Sequence, residues 1–415
     1  MRRSNAILIG LLVVVAVINY IDRGSLSVAA PAISSELHLD PQWMGVLLSA
    51  FFWSYAALQF VAGWLADRFS VIWVLAVGLA IWSIATLATG LTGGLAALLM
   101  CRVVLGAGES VAFPCYSKVI AGNFPIERRG VPNSLIEAAT KLGPALGTLL
   151  GGILLAHYRW RTLFLILGAG SLVWLAPWLA WAPRSAPPSP QARRESPGIL
   201  EIAARRDAWG TFLGNACYTY SYYFLLTWLP SYLVQVRHLS SEAMGVLGSL
   251  PYFAAAAAAV ICGWLSDAWI RRGGTATRVR KTFVATGFLL STVMVGAPLA
   301  SALRTSIVLL CVGYVAFGIL ASNHWAITQT LAGAGAAGTW TGMQNTIGNL
   351  SGIVAPIATG FIVKLTGSYF WAFASPAVLA IVGAYSYVFL VGEVAPIEWG
   401  RHERKLQNSP SGPLG

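Results

Sequence analysis

The segment VAVINYIDRGSLSV, residues 15–28, sets the carboxylate of Asp22 beside the guanidinium of Arg23 inside an apolar run. An ionised side chain at the middle of a bilayer costs at least about 2.5 kcal/mol, so such groups face a cavity or a partner. Neighbouring helical residues point about 100° apart, so these two cannot serve each other and each needs its own environment. A guanidinium fork matches a carboxylate through two parallel hydrogen bonds, which makes Arg23 a candidate for holding an organic anion. Arg102 and Glu109, in RVVLGAGE, are seven residues apart, two turns along one helix face and about 10 Å of rise. By height, Asp22 and Arg102 fall in the same half of the membrane and can pair, with Glu109 near the midplane. Gly106 and Gly108 let helices approach closely there. A carboxylate desolvated at that depth can load and release a proton near neutral pH. The plainer alternative is a static buried network that locks the helices together.

Glu137 precedes Lys141 by four residues in EAATKLG, the favoured order for an intrahelical salt bridge. Alternatively Lys141 adds a second positive charge to an anion site, and both readings hold if Glu137 releases it when substrate arrives. ASNHWAI places Ser322, Asn323, His324 and Trp325 in an otherwise apolar helix, and Asn345 and Asn349 lie one turn apart. Buried asparagines either join helices or face a ligand. His324 can hydrogen-bond a ligand, titrate with a proton or satisfy a buried backbone group.

Membrane helices must position these groups. The 415 residues are 57% hydrophobic and 10% charged, with mean hydropathy +0.68, against about 25% charged residues in soluble domains. Blocks of about 20 apolar residues, enough to cross a bilayer, recur along the chain. Six lie near 5–35, 42–66, 71–92, 95–121, 130–156 and 161–182, and six near 208–235, 243–268, 281–302, 306–331, 338–363 and 370–391. The expected fold is an all-α membrane protein, twelve transmembrane helices in two six-helix pseudo-symmetric bundles. Residues 1–182 form the first bundle, 183–207 a Pro- and Arg-rich cytoplasmic linker, 208–391 the second bundle and 392–415 a cytoplasmic tail. An internal repeat supports the halving: GWLAD at 63–67 returns as GWLSD at 263–267, each at the end of its bundle's second span.

The net charge of +12 comes from basic residues between apolar blocks, not from one soluble face, so a nucleic-acid partner is not expected. Eighteen Lys and Arg residues fall on the side of the termini, against Arg159, Arg161, Arg237, Arg304 and Lys364 on the other. That bias places both termini in the cytoplasm. The opening MRR followed by ILIGLLVVVAV imitates a signal peptide, but Asp22 and Arg23 interrupt it and many spans follow, so an uncleaved first helix is expected. All five cysteines sit in apolar blocks without a C-x-x-C spacing, which reads as buried thiols and no metal site. No P-loop, Rossmann fingerprint or Ser/His/Asp arrangement is present, the loops are too short for a catalytic domain, and NLS at 349–351 is discounted as a glycosylation site because it lies within a span.

With these motifs in place, the chain resembles the major facilitator superfamily. GWLADRF resembles its G-x-L-x-D-R motif and GWLSD the degenerate copy, although SVIWVL follows where basic residues usually continue. More narrowly, NYIDRGSLSVAAPAI, FFWSYAALQFVAGWLADR, RVVLGAGESVAFP and GTWTGMQNTIGNLSGIVAPIATGFIV resemble the anion:cation symporter family, carriers that take up organic anions with protons. The resemblance implies the major facilitator fold and a bacterial inner-membrane location. It also implies that Asp22 and Glu109 are the proton-coupling groups, with Arg102 poising the aspartate. Tyr20 and Tyr55 match positions lining the central cavity. Ser322, His324, Trp325 and Asn345 match the face that holds a ligand's neutral end.

The expected function is therefore proton-coupled symport of a small organic anion, a sugar acid or other carboxylate, by alternating access. Arg23, with Lys141, holds the carboxylate, and Asp67 and Arg68 latch the cytoplasmic side. The expected carrier is a monomer among membrane lipids, with no cofactor beyond the proton as coupling ion and no enzyme activity. Its rivals are an organic-anion or phosphate-ester exchanger without proton coupling, a receptor without turnover, and a multidrug exporter. Such exporters often favour cations, which two or three buried basic groups do not suit.

Overall fold

The computed structural model describes residues 3–123, 130–182, 199–397 and 399, and among these every regular element is a helix. The first half comprises α1 (Arg3–Leu37), α2 (Pro41–Arg68), α3 (Val71–Leu91), α4 (Leu95–Glu109), α5 (Ala112–Asn123), α6 (Gly130–His157), α7 (Trp160–Val173) and α8 (Leu175–Trp181). A short α9 (Ile199–Ala203) occupies part of the expected linker. The second half comprises α10 (Arg206–Gln235), α11 (Ser241–Arg271), α12 (Ala276–Ser291), α13 (Leu303–Thr366) and α14 (Tyr369–Tyr385).

Ten helical stretches among the described residues are long and apolar enough to cross a membrane, counting α4 with α5 and α7 with α8 as one each. The helices α2 and α10 run 28 and 30 residues, long enough to cross. Together these make the twelve spans. The 64-residue α13 is two of them: Gly333 adopts φ 63° and ψ −178°, a backbone that only glycine takes without strain, and divides it into Leu303–Gly333 and Trp340–Thr366. The fourth span was expected to be continuous over 95–121. It breaks at Glu109 instead, because Pro114 has no N–H to donate to Ser110 and its ring crowds that carbonyl.

The connections at residues 38–40, 92–94, 158–159, 236–240 and 367–368 form one face of the bundle, the loop face, and the N-terminus of α1 lies at the other. The helices are started there by side-chain caps: Asp40 accepts the Trp43 backbone N–H at 2.9 Å with Pro41 just inside α2, and Ser240 accepts from Ala243 at 3.2 Å in α11. The two halves meet through α1 on α10, α2 on Trp340–Thr366 and α6 on α11. These contacts cluster toward the loop face. Gly152 of α6 and Gly245 of α11 touch backbone to backbone, so close that a Cβ on Gly152 would sit 2.3 Å from the Gly245 Cα. Lys364 closes the same end with 2.9 Å to Asp40 Oδ2 and 2.7 Å to Gln42 Oε1. The halves are thus joined at the loop face.

Candidate functional site

Arg23 lies on α1 three residues after Tyr20 and four after Asn19, so these side chains share a helix face. Its side chain is 98% buried and makes a salt bridge to Glu109, Nη2 to Oε2 at 3.1 Å, with Nε donating to the same oxygen at 3.4 Å. Nη2 also approaches Asn19 Oδ1 at 3.4 Å. Three aromatic rings surround the cation, with centroids at 4.5 Å for Tyr55, 4.6 Å for Tyr20 and 4.8 Å for Phe51. Desolvated cation–π contacts of this kind are worth about 2 kcal/mol each, and they hold the charge without consuming its donors. Nη1 has no hydrogen-bond partner among the described residues, and Glu109 Oε1 is buried with none.

The expected Asp22–Arg102 pair is not formed. Asp22 is buried and turns toward α7, where Ser171 Oγ donates to Oδ2 at 3.1 Å, while Oδ1 is buried without a partner. Arg102 is buried too, 5.3 Å from the Phe51 ring centroid, and its Nε has no partner. The ion pair of this cluster is instead Arg23–Glu109. Height along a helix is readable from residue number, but the rotation of α1 against α4 is not, and that rotation aims Arg23 rather than Asp22 at α4. The helix α4 is held against α2 by Ser54 Oγ donating to the Val103 carbonyl at 2.6 Å, which brings Phe51 beside both arginines.

Lys141 is half-buried in α6 with Nζ 5.0 Å from the Tyr222 ring centroid in α10, a contact between the two halves. Tyr222 leads through Tyr218 (6.3 Å between centroids) to His324 (5.1 Å). His324 is buried, faces the Leu320 carbonyl with Nδ1 at 3.4 Å, and leaves Nε2 buried without a partner. Trp325 stands half-buried against it at 4.8 Å. Asn345 is half-buried; its neighbour Gln344 is fully buried, accepts from Thr328 Oγ1 at 2.6 Å and has an unpartnered Nε2. Asn349 accepts the Tyr223 hydroxyl at 3.0 Å, and Tyr223 packs on Phe52 of the first half at 4.5 Å. Ser266 donates to Asn323 at 2.6 Å, so that asparagine joins α11 to α13. The side chains of Asp67, Arg68, Glu137 and Ser322 lie outside the described residues.

Sequence reasoning singled out neither Asn19, Phe51, Tyr222, Tyr223 nor Gln344. Asn19 was within reach, since it lies one turn before Arg23. The aromatic residues of α10 carry no periodic signal that separates a site face from a core face.

The sequence profile described as Major Facilitator Superfamily matches residues 12–356. The chain belongs to that superfamily. It is a multi-pass membrane transporter and not an enzyme, and its resemblance to the anion:cation symporters holds across both bundles. It is 31% identical to the probable galactarate/D-glucarate transporter GudP of Escherichia coli strain K12, over 96% of each chain. It is likewise 31% identical to the probable sulfoacetate transporter SauU of Cupriavidus necator, over 94% of each. Among solved structures, a bacterial homolog of the human lysosomal transporter Spinster, in an inward-facing and unoccupied conformation, superposes with TM-score 0.80 at 19% identity, covering 94% of this chain and 98% of its own. That likeness is one of fold.

Proposed function

We propose that the protein is a proton-coupled symporter of a small organic anion, a sugar acid or other carboxylate, working by alternating access in a bacterial inner membrane. The observation that carries the reading is the buried Arg23–Glu109 ion pair at 3.1 Å. One guanidinium is shared between an internal carboxylate and whatever carboxylate arrives from outside. While Glu109 is ionised, it occupies the Nε and Nη2 edge of Arg23. A proton on Glu109 neutralises it and releases that edge for a bidentate substrate contact. Loss of the proton returns Arg23 to Glu109 and displaces the anion. Proton and anion then travel together because one arginine answers to both.

Asp22, with Ser171 as its present partner, is the second carboxylate of the coupling group, and Arg102 supplies positive charge beside it. His324, Trp325, Asn345 and Ser322 on the second half hold the neutral end of the substrate. Asp67 and Arg68 latch the cytoplasmic face. With both termini cytoplasmic, as the bias of basic residues supports, the loop face is external, and contacts such as Gly152–Gly245 and Lys364–Asp40 close the outside. The arrangement is then inward-facing, and rocking of the halves about the site gives alternating access. The names of the relatives, carriers of sugar diacids and of a sulfonated carboxylate, support an organic anion as cargo.

Purified protein in proteoliposomes tests the reading. An imposed inward pH gradient should accelerate uptake of labelled sugar acid and drive it above equilibrium. Acceleration by internal substrate alone, with no response to the gradient, would mean exchange and would end the symport reading.

A further inference from the structure

Lys141 is a second cation at the junction of the two halves, and the coupling scheme does not use it. It projects from α6 onto the face of Tyr222 in α10, with Nζ 5.0 Å from the ring centroid. Arg23 lies over the Tyr20 ring, and the α6 backbone just beyond Lys141 abuts that same tyrosine, so the two cations are near neighbours across α1 and α6. Their relative height follows from the helices. The Gly143 backbone of α6 lies directly against Tyr20 Cβ of α1, and both helices run from the terminal face to the loop face. Arg23 is three residues above Tyr20 and Lys141 two below Gly143, which sets the two backbone positions about 7 Å apart in height at 1.5 Å per residue. Around the Lys141 end are two polar atoms buried without partners, the Tyr222 hydroxyl and His324 Nε2. Both side chains are more than nine-tenths buried, and an unmatched buried polar atom is costly unless a ligand or water completes it.

We infer that Arg23 and Lys141 are the two poles of the substrate site, and that the cargo is a short hydroxylated dianion bearing an acid group at each end. Arg23 takes one anionic end as its exchange partner for Glu109. Lys141 takes the other as a compact point charge with three rotatable donors, which accepts either a carboxylate or a sulfonate. Tyr222 and His324 meet hydroxyls beside the Lys141 end. A monoanion leaves Lys141 without a substrate charge and binds more weakly. The inference rests on the organic-anion carrier reading above and adds the number and placing of the charges.

Competition in counterflow tests it with matched pairs that differ only in the second acid group: glucarate against gluconate, tartrate against threonate, and sulfoacetate against acetate. In the unmodified protein the dianion of at least one pair should compete about tenfold or more tightly than its monoanion. Lys141→Gln should bring that ratio close to one with monoanion binding retained, and Lys141→Arg should restore most of the preference for the dicarboxylate. Should Lys141→Gln not fold, Lys141→Met takes its place, and the selectivity of the unmodified protein stands as an independent measurement. Equal competition within every pair, or a dianion preference that survives loss of the lysine, overturns the two-pole site while leaving an Arg23-dependent carrier in place. Binding of none of the six compounds overturns the carrier reading and this inference together.

Discussion

The two halves share a helical plan and a repeated motif, yet their interiors are chemically opposite. The first buries Asp22, Arg23, Arg102 and Glu109. The second buries Asn215, Asn323, His324, Gln344 and Asn349, and among the described residues no carboxylate, lysine or arginine. The Arg23–Glu109 pair thus lies wholly within the first half, so on the proposed scheme rocking of the halves need not separate opposite charges in a medium where separation is expensive. Neutral amides, hydroxyls and rings on the second body can meet and leave a substrate at modest cost per contact. On the proposed scheme, charge in the first half does the coupling and holds the anionic ends of the substrate, and neutral hydrogen bonding in the second half meets the rest of it.

The comparison breaks most readily at Arg23. Arg23→Ala should abolish substrate binding, and it should destabilise the protein by about 3–5 kcal/mol because Glu109 keeps a buried charge without its partner. Adding Glu109→Gln to that variant should recover most of the thermal stability and none of the binding. Recovery of binding in the double variant would remove Arg23 from the site. Glu109→Gln alone should keep counterflow of labelled substrate but lose accumulation driven by a pH gradient. If the gradient still drives accumulation, the coupling group lies elsewhere.

A next effect, about tenfold on uptake, is expected at the loop face. Gly245→Val inserts a side chain where α6 and α11 touch, so the face should stay open and a cysteine placed on the chamber wall should react faster from that side. Unchanged labelling would mean the halves do not close there. In the second half, Tyr223→Phe removes the 3.0 Å hydrogen bond to Asn349. A neutral bond of this kind contributes about 1 kcal/mol to stability, so thermal stability should fall by about that much while the response of uptake to pH is unchanged. A changed pH profile would erase the division of labour between halves.

The smallest effect belongs to Lys364 and Asp40, an exposed pair worth at most about 1 kcal/mol and screened by salt. The Trp43 backbone N–H, and after it Lys364, hold the Asp40 carboxyl below its ordinary value. Its folded form is thus the more acidic, so its contribution is present at neutral pH and is lost as pH falls through that depressed value, below about 4. Lys364→Gln should flatten the acid limb of a plot of Tm against pH slightly, and should lower stability at pH 7 by no more than about 1 kcal/mol.

Much of this was legible without coordinates. Hydropathy and length are local properties, so they placed all twelve spans, including the split of α13 that Gly333 completes. The cost of burying charge singled out Asp22, Arg23, Arg102, Glu109 and Lys141; the structure buries the first four inside the first half and lays Lys141 against Tyr222 of the second. The break at Glu109 was also written locally, in Pro114, although a continuous span was expected.

What tertiary structure alone decided is who faces whom. Residue number gives height along a helix and the 3.6-residue period gives relative direction on one helix, but neither gives the rotation of one helix against another. That rotation is set by side chains packing across the bundle, such as Ser54 on Val103 and Tyr20 on Gly143. It turned Asp22 to Ser171, gave Glu109 to Arg23, buried Gln344 rather than Asn345, and laid Lys141 on Tyr222. The sequence determined which groups must avoid lipid, because solvation is a property of each side chain; the packed bundle determined their partners, because pairing is a property of the space between helices.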